Sequence, residues 1–238
     1  QFEGRWVSFK AKPDLSKLIT LYEKEQSSNR VSLMKQAAEI ITTRMTQSDA
    51  YSFSRSWERD DLESPSRVSS TLLLHAHLFA DDLGKAFELA KKRASLGWST
   101  NNPQPFFITY CLINAAKTPL NNLPLHLKKF WDYALQTSDD SVWNIEDETN
   151  DTRHKLASIY QDIFAIPREI DKKMVDWCLN ASHKRVEDIV INQHRKAYDR
   201  AALITAACTE TLQIINPSEA TKFFWEIQSK FPRHSSFQ

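Results

Sequence analysis

Glycine is nearly missing from this chain: Gly4, Gly84 and Gly97 are the only three in 238 residues. Average usage of about 7% would give roughly seventeen. That scarcity excludes folds built on tight hairpins, phosphate-cradling loops or many bulges, because each needs backbone that only glycine adopts freely. Long apolar runs are missing too. The longest, Thr71 to Ala80 and Phe106 to Ala116, fall well short of the roughly 20 residues of a membrane span, so no membrane partner is expected. No signal peptide is visible, since Gln1 to Lys10 has no apolar core. A chain starting at Gln1 reads as one region of a larger protein.

No sign of charge dominates: 31 basic residues face 30 acidic ones, too even for a dedicated nucleic-acid domain. Cysteine is sparse and odd in number. Cys111, Cys178 and Cys208 are widely spaced inside apolar segments and read as buried free thiols of a reducing, cytoplasmic or otherwise intracellular protein. Asn150-Asp151-Thr152 and Asn180-Ala181-Ser182 match the glycosylation acceptor pattern, and two such tripeptides arise readily by chance.

What remains is helical periodicity, and the fold class is all-α. Leu15, Leu18, Ile19 and Tyr22 share one face after Pro13-Asp14. A second stripe runs from Val31 to Thr46 through Ala37, Ile41 and Met45. Asp49 caps a third helix, Ser64-Pro65 opens an apolar one through Phe79, and Asp81 or Asp82 begins another that stops at Gly97. Helices follow over Phe106 to Lys117, Leu125 to Gln136, Asp151 to Phe164, Pro167 to Asn180, Val186 to Ile214 with a break near His194, and Pro217 to Phe231. This gives about ten helices, expected as a stack of antiparallel hairpins. N-terminal hairpins occupy 1–138, an acidic loop or linker 139–151, and C-terminal hairpins 152–238, read together as one continuous solenoid.

In the last hairpin, Ala220, Phe224, Ile227 and Pro232 are set for a seam: a small residue for close approach, two fillers and a terminator. Ile204, Ala207, Cys208 and Thr211 face it from the preceding helix. This series resembles the tetratricopeptide repeat. Ala220, Phe224 and Pro232 fit its pattern, while Ile227 and Thr211 stand where the repeat has small and aromatic residues. Ala37 with Ile41 and Ala86 with Ala90 are fainter echoes, out of a strict repeat register. The resemblance implies an irregular helical repeat protein with a concave binding surface.

Catalytic and metal patterns are absent by inspection. No glycine cluster can cradle a phosphate, and no flanked Ser elbow, His-Glu-x-x-His or Cys-x-x-Cys occurs. His75 and His77 are two apart on a helix and point in divergent directions. No catalytic residue, metal or cofactor is therefore expected. Were the chain an all-helical enzyme with an unfamiliar site, His75, His77 and His194 would be the first residues to test. The basic stretch His183, Lys184, Arg185, His194, Arg195, Lys196 and Arg200 is diluted by Glu187, Asp188 and Asp199. Of the seven tryptophans, Trp131, Trp177 and Trp225 read as core. Trp98, after Gly97, and Trp143, in the acidic loop, read as anchors. The expectation is a non-catalytic protein–protein interaction scaffold binding a protein or peptide through Trp98, Trp143, Arg195, Lys196 and Arg200. Nucleic-acid binding through the C-terminal basic face is the alternative.

Overall fold

The computed structural model describes residues 2–54, 68–99, 101–138, 146–166 and 168–231. Every regular element among them is helical: α1 (Phe2–Ala11), α2 (Leu15–Lys24), α3 (Ser27–Ser54), α4 (Ser70–Phe79), α5 (Leu83–Lys91), α6 (Gln104–Ala116), α7 (Leu125–Gln136), α8 (Glu146–Phe164), α9 (Lys172–Ile191), α10 (Tyr198–Ile215) and α11 (Pro217–Lys230), with 3₁₀ turns at Leu120–Asn122 and Arg195–Ala197. None of the described helices is long and apolar enough to cross a membrane.

One side-chain oxygen sets each of four helix starts. Asp14 accepts from the Lys17 amide at 2.8 Å, Ser69 from Thr71 at 3.1 Å, Asp82 from Lys85 at 3.1 Å and Asp171 from Lys173 at 2.8 Å. Each satisfies a donor that the first turn leaves orphaned. Helix ends show what scarce glycine costs. Asp81, Lys117 and Gln193 adopt left-handed backbone, with φ of 57°, 50° and 53°, in turns that glycine would make without a Cβ clash.

Several boundaries differ from those expected. The segments divided at Asp49 form the single helix α3, because nothing between Thr46 and Ala50 breaks a helix. α8 begins at Glu146, so part of the expected acidic loop is helical. α9 passes through Asn180 to Ser182 without interruption, and the expected break near His194 separates it from α10. Ser64, Pro65, Pro232 and the segment 139–145 lie outside the described residues.

The residues sort into two compact units. The first comprises 1–92, 99–103 and 138–156. Here α1 packs on α2, α2 on α3 and α4, and α4 on both α3 and α5. All ten residues of α4 are buried, polar Ser70, Thr71, His75 and His77 among them. Leu18, Ile19, Met34, Ile41 and Leu74 fill the centre of this unit.

The second unit comprises 93–98, 104–137 and 157–238. α6 pairs with α7 and α9 with α10, and the pairs meet through α6–α9, α6–α10 and α7–α10 contacts. α11 then packs on α10. Twelve of the thirteen residues of α6 are buried. Around it an aromatic cluster of Phe106, Tyr110, Trp131, Tyr160 and Phe164 has ring centroids 4.9–6.3 Å apart, in the tilted and edge-on arrangements that ring quadrupoles favour. An ion pair from Lys230 to Glu187 ties α11 to α9.

In the α10–α11 seam, Ile204, Ala207, Cys208, Thr211, Ala220 and Ile227 are buried as expected, but Phe224 is not. It is 43% exposed, and Phe223 fills the seam instead. The buried stripe runs Ala220, Phe223, Ile227, Phe231, and its spacing of three, four and four keeps one face of an α-helix turned inward. Trp225, expected in the core, is 59% exposed, whereas Trp131 is buried. Trp177 is half-buried, edge-on to Phe107.

Candidate functional site

Trp98 lies just before α6 in the second unit, and Arg200 lies in the first turn of α10. Far apart in sequence, the two meet in space. The Arg200 guanidinium carbon sits 5.6 Å from the Trp98 ring centroid and 5.8 Å from that of Tyr133 on α7. Trp98 is edge-on to Tyr133 at 4.7 Å and to buried Phe130 at 6.0 Å. A cation within about 6 Å of a ring face is held by the ring quadrupole, so two rings fix this guanidinium at the surface. Trp98 and Tyr133 are half-buried and Arg200 is exposed. The indole N–H of Trp98 is buried with no acceptor among the described residues. Ring contacts, not a hydrogen bond, hold it in place.

Arg195 and Lys196, in the 3₁₀ turn leading into α10, are exposed beside this cluster in the chain. Neither they nor Arg200 forms an ion pair with any described residue. The rest of the basic stretch behaves differently: Arg185 pairs with Asp188, and His183 lies 3.5 Å from Glu187. Of the acids next to cluster residues in sequence, Asp199 sits in the first turn of α10 and so complements that helix's dipole, and Asp132, beside Tyr133, lies 3.8 Å from Lys128. Of the five anchors expected from sequence, the structure thus brings Trp98 and Arg200 together, with Arg195 and Lys196 alongside in the chain. Trp143 lies outside the described residues. Tyr133 went unrecognised, since on α7 it reads as one more core aromatic.

Comparison with protein-family models, curated proteins and solved structures finds no match. The reading of function therefore rests on the chemistry of the molecule itself.

Of the three histidines named from sequence, His194 is exposed at the start of the 3₁₀ turn and its side chain caps nothing, while the other two are buried. His75 is fully buried in α4, and burial drives its imidazole down to about 3. Burial also lowers His77. Both are neutral at physiological pH and closed to solvent. Cys111, Cys178 and Cys208 come from α6, α9 and α10 and are all fully buried. Burial pushes the Cys178 thiol well up and that of Cys208 up to about 12. Such thiols stay protonated and unreactive. Among the described residues no group of three or more His, Cys, Asp or Glu could hold a metal ion.

The nearest approach to an acid–base dyad is His126 with Glu210, whose Nδ1 and Oε1 lie 2.7 Å apart. Oε2 of Glu210 accepts from the His126 and Leu127 amides at 2.9 and 2.8 Å. Oε2 thus closes the start of α7, where Pro124 offers no side-chain cap, and Oε1 holds the His126 ring. The pair is a helix cap supplied across the α7–α10 contact. A hollow of about 220 Å³ at the end of α6, lined by Asn114, Lys117, Thr118, Gln161 and Phe164 among others, has Lys117 as its only titratable group, too little for acid–base work.

Proposed function

We propose that this chain is a non-catalytic protein-interaction module, a helical-repeat region of a larger intracellular protein, and that it holds its partner through the Arg200–Trp98–Tyr133 cluster. The observation that carries this is a guanidinium fixed over two rings at the surface with no internal carboxylate to answer it. A flexible arginine loses rotamer freedom on binding; one already held by rings loses less, which favours recognition. The pair-on-pair packing of α6–α7 with α9–α10, continued by α11, supports the likeness to tetratricopeptide repeats. Those scaffolds present rigid surface and do no bond chemistry. Inert thiols, neutral buried histidines and a helix-capping His–Glu pair all weigh against an enzyme.

The exposed Arg195, Lys196 and Arg200 also suit phosphate, which gives nucleic acid as the second reading. Affinity capture from cell lysate at low and high salt, with and without nuclease, separates the two. A protein partner retained by the native chain through nuclease and high salt, and lost on Arg200→Gln, is the expected result. Retention of nucleic acid that nuclease or salt removes would replace this reading with the second.

A further inference from the structure

Resting on that reading of the cluster as a partner site, we infer that the partner is an acidic peptide segment, with an Asp or Glu carboxylate seated on the Arg200 guanidinium and neighbouring carboxylates answered by Arg195 and Lys196. The attraction of Arg200 to Trp98 and Tyr133 engages its charge and leaves its N–H donors unspent, for it makes no hydrogen bond to any described residue. A guanidinium presents five such donors in a rigid fork that matches a planar carboxylate two bonds at a time. Several cations elsewhere in this chain are paired with a nearby acid, Lys85 with Asp82, Lys155 with Asp151, Arg185 with Asp188 and Lys230 with Glu187, and others, such as Lys35 and Lys184, are not paired with any described residue. Arg195, Lys196 and Arg200 are exposed and form no ion pair with any described residue, and their combined positive charge complements an acidic ligand.

The same geometry disfavours nucleic acid. Binding to single strands uses open aromatic faces on which bases stack, and here the rings are engaged by Arg200 and by each other, Trp98 edge-on to Tyr133. The charge is also small, three cations with Asp199 among them. That suits a peptide with a few acidic residues better than a continuous phosphate backbone.

The test uses the full chain and three labelled probes followed by fluorescence anisotropy: octaglutamate, octaglutamine and an oligothymidine of matched length. Octaglutamate should bind and octaglutamine should not. Arg200→Gln should weaken octaglutamate by about tenfold or more. Arg200→Lys, which keeps the charge and loses the fork, should recover only part of that loss. Lys184→Gln, an exposed cation of the same basic stretch on α9, should change nothing. Arg200 is exposed, so its variants should melt like the native chain. If Arg200→Gln nevertheless unfolds, Arg195→Gln and Lys196→Gln combined should still weaken octaglutamate severalfold. Equal binding of octaglutamate by the native chain and these variants overturns the inference. So does tighter binding of oligothymidine that falls with Arg200→Gln. If octaglutamate fails while a lysate protein is still captured through Arg200, the acidic-ligand inference falls and the interaction module stands. If neither the peptide nor a protein depends on Arg200, both fall.

Discussion

At His75 burial sets a proton's free energy, and the sign can be worked out. Unfolded, the imidazole titrates near 6.5; in the core of the first unit it is held down to about 3. Between those values the unfolded chain binds a proton that the folded chain refuses. Stability is therefore fully present above pH 6.5, falls as pH drops below it, and levels off near pH 3. The loss amounts to about 2 kcal/mol by pH 5 and on the order of 5 kcal/mol at the plateau. His77, lowered in the same direction, adds to it. His75→Gln keeps a polar side chain and removes the titration. Urea midpoints from pH 7.5 to 4.5 should fall steeply for the native chain and clearly less for this variant. Equal slopes would mean that His75 is not neutral in the folded state. The buried thiols shift the other way, since their uncharged form is the protonated one and acid leaves it untouched.

At the scale of one helix, the seam between α10 and α11 decides which of three consecutive aromatics is structural. Phe223→Ala should cost about 3 kcal/mol or more, as for a large side chain removed from a core, whereas Phe224→Ala should stay within about 1 kcal/mol. Chemical denaturation of the two variants measures this directly, and the opposite order would restore the sequence-based seam. Phe223, Phe224 and Trp225 are adjacent and all large, so spacings of three and of four from Ala220 serve equally well in sequence. The continuation through Ile227 to Phe231 fits either choice, and only the packing against α10 selects Phe223. Helix starts were legible where a short polar side chain caps its own turn, as at Asp14 and Asp82, whereas the Asp171 cap sets the start of α9 later than the sequence predicts. The start of α7 is closed by Glu210 from another helix, a signal no local window contains. The candidate site shows the same division. Trp98, Arg195, Lys196 and Arg200 stood out as an aromatic after a glycine and a run of basic residues. That Tyr133 completes the cluster follows only from the α7–α10 contact.

Across the whole chain, the buried titratable groups are segregated, and this carries its own consequence. Among the described residues the only buried histidines, His75 and His77, belong to the first unit. The second unit buries thiols and Tyr110, whose hydroxyl burial pushes upward, and all of these stay neutral as acid is added. Its Glu187, held below the usual carboxylate range chiefly by the hydrogen bond from Lys230, is still ionised at pH 5. In the first unit Asp82 is likewise lowered, because bonds from Lys85 outweigh its partial burial. Mild acid therefore acts on the fold through the histidines and so on the first unit. Amide hydrogen exchange at pH 7.5 and pH 5, corrected for intrinsic rates, should show α4 losing protection by roughly thirtyfold, the equivalent of about 2 kcal/mol. The buried amides of α6 and α10 should hold theirs. Equal loss in α4, α6 and α10 would show one cooperative unfolding reaction in place of two. Unchanged protection in α4 would show that protonating His75 does not open the helix that buries it.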